Sequence, residues 1–456
     1  MKRFFGTDGI RGVANSDLTP ELAFKLGQAV GVWLGEGRVA IGRDTRRSGP
    51  MLGAAMAAGL CSVGIEVSPL GVVPTPAVSY ACRFEGFQLG VVISASHNPA
   101  PDNGIKLFGP DGRKLADSVE VELERLMEQG GHAHPTGPGV GKLLDPDDSV
   151  AAGYAAFLSK IVPGGLSGMK IAVDAANGAA FRLGPQIFES LGAVVHSTNV
   201  SPDGDNINVN CGATHPASIQ QFTVQTGSDI GVAFDGDADR AVFSDDKGRL
   251  INGDRTMGIW ALERMRNGGM NPAVIVGTVM SNGGFEAYLT SKGIILERAK
   301  VGDKYVSERI DATGAHVGGE QSGHIIFPAF GPTGDGIATA LQLFGAIEQS
   351  GRKASDFFDD YEPWPQLLVN VKVASKEAFG ESELVRQAIS QVEDRLSGRG
   401  RINVRPSGTQ PMVRVMVEAD DYSLRDEAAD HVVQAMVSSI GGSVYSKVDL
   451  THALGD

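Results

Sequence analysis

Three aspartates at alternate positions, in Asp235-Gly236-Asp237-Ala238-Asp239-Arg240, form the densest cluster of reactive groups in this chain. With only Gly and Ala between them, the carboxylates can crowd together without side-chain clashes. Such crowding is repulsive unless a hard divalent cation sits among them, and oxygen-only ligands favour Mg²⁺ or Ca²⁺. A calcium EF-hand loop also opens D-x-D-x-D, but it needs Gly at the sixth position and Glu at the twelfth, where this chain has Arg240 and Asp246. An EF-hand also needs a preceding helix, whereas Ile230–Phe234 reads as a strand. The plainer alternative is an exposed acidic turn; the buried-looking strand ahead of it and Arg240 beside it favour a metal.

A second motif is Ile93-Ser94-Ala95-Ser96-His97-Asn98-Pro99. Ser96 lies just past a strand end, with His97 adjacent and Pro99 stiffening the loop. Turn or N-cap serine is the commonest employment of Ser in such a place. No G-x-S-x-G elbow is present, which argues against an esterase nucleophile. A hydroxyl that alternately holds and releases a phosphoryl group fits better. Phosphoserine brings about −1.5 to −2 charge, which the aspartate loop's metal and Arg240 are placed to compensate.

Other motifs are weaker singly. Lys106, in Asn103-Gly104-Ile105-Lys106, is either a solvated charge or, if turned inward, a group for stabilising phosphoryl oxygens or moving a proton. Gly319-Glu320-Gln321-Ser322-Gly323-His324 offers Glu320 and Ser322 for sugar hydroxyls, or is a surface turn. Arg405-Pro406-Ser407-Gly408-Thr409-Gln410 supplies hydroxyls and backbone N–H groups for a phosphate nest, with Arg405 and Arg414 adding bidentate contacts; alone it reads as a tight hairpin connection. The N-terminal GTDGIRG places Arg11 among glycines as a further cation.

Several elements must position these loops. Apolar runs predict strands at Val39–Asp44, Ile65–Leu70, Leu89–Ser94, Asp229–Phe234, Ala273–Thr278 and Gly293–Arg298. Amphipathic spacing predicts helices at Pro20–Leu34, Pro50–Val63, Asp117–Glu128 and Asp335–Ile347. Strands alternating with helices imply largely parallel sheets, whose ligands gather beyond the carboxyl ends of the strands. The polar stretch Gly130–Asp148 marks a first boundary; its GPGVGK is not a P-loop, because the spacing is wrong and Leu143 follows the lysine. Tyr361–Gln366 marks the last boundary, with two prolines and aromatics. Beyond it the order reads strand, helix, strand, strand, helix. The expected architecture is α/β with four domains, at 1–150, 151–252, 253–364 and 365–456: three α/β units with mixed, largely parallel sheets plus a C-terminal α+β domain around a central cleft.

Bulk properties bound the function. The 456 residues are too many for one core. A balance of 40 Lys+Arg against 54 Asp+Glu argues against a nucleic-acid partner. Cys61, Cys82 and Cys211 are scattered and odd in number, which argues against a disulfide framework or zinc site. No stretch reads as a signal peptide or a membrane span. A cytoplasmic enzyme without a membrane partner, monomer or homodimer, is the expectation.

Together the motifs, in this order and over nearly the whole chain, resemble the α-D-phosphohexomutase family, whose members build one cleft from four domains. FFGTDGIRG, NINVNCGATH (206–215) and GEQSGH resemble its amino-sugar branch; the neutral-hexose branch, of phosphomannomutase and phosphoglucomutase type, is the alternative. The resemblance implies that Ser96 is the phosphoserine and that Asp235, Asp237 and Asp239 bind Mg²⁺ together with a phosphoserine oxygen. It implies Glu320 and Ser322 as sugar contacts, and Arg405, Ser407, Gly408 and Thr409 as the grip on the non-reacting phosphate. Arg11, Lys106 and His324 align with residues of transfer or proton handling. It further implies a small sugar phosphate as substrate and a hexose 1,6-bisphosphate as activator. One departure is Gln410, where the family commonly has Glu.

Overall fold

The computed structural model describes residues 3–6, 8–373, 375–407, 411–452 and 454. The chain divides into two compact units, Met1–Thr278 with Ala299–Phe358, and Val279–Arg298 with Asp359–Asp456.

The first unit opens with a mixed sheet. Its strands Arg38–Arg43, Glu66–Val72 and Leu89–Ile93 run parallel, while Asp102–Phe108, Gly9–Val13 and Phe5–Gly6 continue it antiparallel beyond Leu89–Ile93. The helix Pro20–Leu34 starts where Thr19 accepts a hydrogen bond from the Leu22 N–H and Pro20 presets the first turn; it stops at Gly35. It crosses the helix Gly49–Ser62 at very short range. A Cβ on Gly59 would lie 2.2 Å from the Phe24 carbonyl oxygen, and one on Gly27 2.4 Å from that of Met56. The expected boundary at 130–148 is not a free linker: Val67 donates to the Lys142 carbonyl, and Leu144 donates to the Val67 carbonyl. Within GPGVGK, Gly141 lies so close to Ile65 that a Cβ would clash at 2.1 Å, a packing role for that glycine.

A second sheet holds Lys170–Asp174, Val194–Thr198 and Ile230–Phe234 in parallel, with Ala241–Asp245 and Leu250–Ile251 antiparallel at one side. In a third sheet Val274–Thr278 runs parallel to Gly318–Gly319, which pairs antiparallel with Ile325–Ile326. One continuous apolar core, with Phe188, Phe234, Phe243 and Phe344 in ring contact, joins strands of the first two sheets through the helices Ser149–Ser159 and Gly336–Ser350, while Val276 and Ile326 of the third sheet pack in a separate cluster. Such a core resists relative movement of the parts it joins.

In the second unit an antiparallel sheet has the order Gly400–Pro406, Met412–Ala419, Gln366–Lys372, Ser443–Asp449. The helices Glu383–Leu396 and Tyr422–Ile440 pack against it. The last strand, Ser443–Asp449, lies beyond the expected order. Val279–Arg298 is tied in by Arg401, which donates to the carbonyls of Val279 and Ser281, and by Glu418, which accepts from the Gly283 N–H at 2.8 Å. Tyr361–Gln366 also packs within this unit, Asn282 bracketing Trp364 by hydrogen bonds to both its N–H and its carbonyl. Among the described residues no helix is long and apolar enough to cross a membrane, and the three cysteines are free thiols.

Candidate active site

Ser96 occupies the connection between the strand Leu89–Ile93 and its antiparallel neighbour Asp102–Phe108. Register places Lys106 opposite Val92, and on the next strand Arg11 opposite Gly104. A Cβ on Gly104 would come 2.4 Å from the Ser94 carbonyl oxygen, so only glycine lets these strands carry both cations up to the serine loop. Ser96 is buried and left-handed, with φ of 52°. Its hydroxyl donates to Asp235 Oδ2 at 2.5 Å and lies 3.2 Å from His97 Nδ1. Burial, helped by Arg240 and Arg11, pushes the His97 imidazole down to about 4, so it is neutral at physiological pH.

The three aspartates follow the strand Ile230–Phe234, as anticipated. All three are buried, and their carboxylate oxygens lie within 4.8 Å of one another. Gly236 makes the approach to the serine loop: a Cβ there would sit 2.5 Å from the Ser96 carbonyl oxygen. Burial and the neighbouring Asp239 and Asp237 push Asp235 well above the usual carboxylate range. Burial acts the same way on Asp237, but Lys106 at 2.9 Å and the Thr75 hydroxyl at 2.6 Å outweigh it and hold that carboxyl low. Lys106 points inward. Burial disfavours its charge, yet Asp237, Asp8 and Asp239 outweigh burial, so it is a firmly held ammonium. Asp237 Oδ1 and Asp239 Oδ1 are buried without a hydrogen-bond partner. Buried carboxylate oxygens are seldom left so. With Asp235 and the Ser96 hydroxyl they make an oxygen-only donor set that fits a hard divalent cation.

The loop 319–324 meets the same place. Ala241 donates to the Gly323 carbonyl at 3.1 Å, and Gly323 has no room for a Cβ beside the Ala241 carbonyl. Glu320 accepts from the Gly302 N–H at 2.9 Å and from the Ser322 hydroxyl at 3.3 Å. His324 is buried where Gly334 passes between it and the Asp239 carbonyl; a Cβ on Gly334 would lie 2.5 Å from His324 Nε2 and 2.7 Å from that oxygen. Gln321 turns away and donates to Asp254. Burial disfavours the Arg240 charge, but Asp239, Asp235 and Glu320 together raise its affinity for the proton.

Ser96, Lys106, Arg11, the three aspartates, Glu320, Ser322 and His324 thus belong to one unit. Arg405, Ser407 and Arg414 belong to the other. There Arg405 faces Arg414 across paired strands, and Ser407 donates its N–H to the Met412 carbonyl at 2.8 Å. Gly408, Thr409 and Gln410 lie outside the described residues.

Asp8, Thr75, Lys114 and Asp303 also belong to the site. Asp8 pairs with Arg11, Lys106 and Lys114, and Lys114 pairs in turn with Asp303 at the start of the helix Asp303–Thr313. Burial opposes the Asp8 charge, but these three cations hold it ionised. Asp8 stands within GTDGIRG, three residues before Arg11, where that spacing was available as a clue. Thr75, Lys114 and Asp303 are isolated in sequence and look like ordinary surface polar residues.

The phosphoglucomutase/phosphomannomutase family models match in series: α/β/α domain I at residues 2–134, domain II at 152–248, domain III at 252–364 and the C-terminal domain at 368–435. The phosphoglucosamine mutase of Shouchella clausii is 46% identical over 446 residues, covering 97% of this chain and 100% of that one. That of Desulforudis audaxviator is 47% identical over 442 residues, covering 96% and 98%. Among solved structures, a phosphoglucomutase/phosphomannomutase family protein of Burkholderia thailandensis superimposes with a TM-score of 0.80 at 24% identity, covering 97% and 98% of the two chains. The N-acetylphosphoglucosamine mutase of Aspergillus fumigatus, in complex with GlcNAc-6P and magnesium, does so with 0.68 at 18% identity, covering 96% of each.

Proposed function

The chain belongs to the phosphoglucomutase/phosphomannomutase family, and we propose from that premise that it interconverts glucosamine 6-phosphate and glucosamine 1-phosphate. The observation that carries the reading is the buried Ser96 hydroxyl, aimed at Asp235 in an acidic pocket with cations on both flanks. In this reading phospho-Ser96 gives its phosphoryl group to the free hydroxyl of the sugar phosphate. The bond from phosphorus to Ser96 Oγ breaks, a bond to the sugar oxygen forms, and the sugar's proton is released. The resulting 1,6-bisphosphate turns around and returns its other phosphoryl group to Ser96, whose hydroxyl proton departs as the sugar hydroxyl is regenerated. Phosphoryl transfer asks chiefly for positioning and charge stabilisation.

Each group then has a role. Asp235, Asp237, Asp239 and the serine oxygen would hold Mg²⁺, which when bound supplies a Lewis acid beside the phosphoryl oxygens. Lys106, as an ammonium, draws charge from the transferring group. Arg11 adds a second cation, tied to the serine loop through Asn98. His324 is assigned to proton handling, and Glu320 and Ser322 to the sugar hydroxyls. Arg405, Ser407, Gly408, Thr409 and Arg414 are assigned to the non-reacting phosphate. Residues 1–150, 151–252, 253–364 and 365–456 contribute the serine, metal, sugar and phosphate loops respectively. The enzyme would be cytoplasmic, a monomer or homodimer without nucleic-acid or membrane partners, and activated by a hexose 1,6-bisphosphate.

The test is product formation from glucosamine 6-phosphate with Mg²⁺ and a trace of hexose 1,6-bisphosphate, comparing the parent enzyme with Ser96→Ala. Activity that collapses in the variant supports the proposal. A parent that converts only glucose or mannose phosphates moves it to the neutral-hexose branch. Full activity in Ser96→Ala defeats the mechanism.

A further inference from the structure

The loop 44–47, after the strand Arg38–Arg43, has no part in the chemistry above, yet it grips the serine from behind. Arg46 and Asp44 are both wholly buried. A buried guanidinium is costly unless its donors are met. All five of its N–H donors are used. Nε donates to Asp44 Oδ2 at 2.8 Å, Nη1 to the carbonyls of Pro99 and Asp102 at 2.5 and 2.9 Å, and Nη2 to those of Ser96 and Asn98, both at 2.8 Å. Four of the five therefore go to the backbone of the serine loop.

Asp44 closes the ring. It accepts from the Arg46 N–H at 2.9 Å and from the Ser94 hydroxyl at 2.6 Å, and that hydroxyl oxygen accepts from the Ser96 N–H at 2.9 Å. The peptide groups on both sides of Ser96 are thereby tied to one ion pair. Between them Ser96 holds its left-handed backbone, which residues with a Cβ seldom adopt unless their surroundings impose it. Asn208 Nδ2 adds a tether, at 2.9 Å to the Ser96 carbonyl and 3.2 Å to that of Asn98. The same loop also docks the segment that carries Asn208: Thr45 donates to the Asn177 carbonyl at 2.5 Å, and Arg47 donates its N–H to the Gly204 carbonyl at 3.0 Å and pairs with Asp205.

We propose that Asp44 and Arg46 are positioning residues for phosphoryl transfer, a clamp that keeps Ser96 left-handed so that its Oγ faces the three aspartates. The inference rests on Ser96 being the phosphoryl carrier. Without the fork Ser96 relaxes toward an ordinary backbone conformation and its Oγ swings off line.

Arg46→Lys keeps the charge beside Asp44 but cannot reach four carbonyls. The measurement is kcat and KM for glucosamine 6-phosphate, with the phosphorylated fraction of each enzyme taken from intact mass. We expect kcat per phosphorylated enzyme to fall about 100-fold while KM changes less than about twofold. A purely structural role would lower the melting temperature and leave kcat per phosphorylated enzyme unmoved, and that result overturns the proposal. If Arg46→Lys does not fold, Ser94→Ala removes the hydroxyl through which Asp44 reaches the Ser96 N–H and leaves the ion pair intact; a kcat within about twofold of the parent overturns the proposal equally. A parent inactive on the sugar phosphate, or full activity in Ser96→Ala, would defeat the carrier reading first and the clamp with it, a pattern distinct from an active parent with an unaffected Arg46→Lys.

Discussion

At the scale of single residues, Lys106 is where folding and chemistry make opposite demands on one side chain. A buried ammonium survives because Asp8, Asp237 and Asp239 surround it, and it is in turn one of the groups that balance those carboxylates. Lys106→Met is therefore expected to lower turnover by about 100-fold or more. It should also cost the metal-free protein about 3 kcal/mol of stability. Urea denaturation in EDTA and in Mg²⁺ checks the second figure, since a cation among the carboxylates restores part of the loss. The converse experiment uses Asp237→Asn. The parent should melt at a higher temperature in Mg²⁺ than in EDTA, and the variant should lose most of that difference; an undiminished difference would place the cation elsewhere.

At the scale of elements, the site depends on backbones approaching where side chains cannot fit. Gly236→Ala puts a methyl against the Ser96 carbonyl, which cannot yield without moving the serine loop. The expected result is a loss of about 1–3 kcal/mol in stability with a disproportionate fall in kcat, read from unfolding and steady-state rates on one preparation. The helix Gly336–Ser350 carries a pH signature. Its N-cap, Asp335, accepts from the Ala338 N–H and from the Tyr154 hydroxyl, and burial pushes its carboxyl up to about 6. The folded chain thus holds this proton more tightly than the unfolded one, whose carboxyl titrates near 3.8. Its contribution to stability is full below about 4. It is lost as pH rises through about 6. Asp335→Asn should remove up to about 3 kcal/mol of that pH dependence, seen as a stability curve flatter than the parent's, so that the difference between the two changes from pH 4 to 7. What could be read in advance follows the same physics. Pro20–Leu34 is legible because Thr19 and Pro20 start it, Gly35 stops it and its apolar face repeats. Ser96 and the aspartates are legible because their spacing is compressed into single loops. Ser443–Asp449 is not, because it is a sheet edge whose Val444, Tyr445 and Val448 are all exposed, so no alternation marks it. Nor are Thr75, Lys114, Asn208 and Asp303, which act through partners distant in the chain, nor is the grip of Arg46 on carbonyls some 50 residues on.

At the scale of the whole molecule, four family segments follow one another along the chain, but compactness does not respect their order. Val279–Arg298 leaves one unit, packs with the C-terminal sheet and returns. A fragment 365–456 would lack Asn282 and Gly283, leaving the buried Glu418 without the Gly283 N–H and Arg401 without two carbonyls. We expect that fragment to show little structure by circular dichroism, and to gain it when 279–298 is supplied on a linker; a well-folded 365–456 would contradict this. The same threading bears on inheritance. A recombination breakpoint near residue 365 would deliver a C-terminal segment stripped of part of its own packing, so this last module can be exchanged between relatives only together with a stretch encoded some 80 residues upstream.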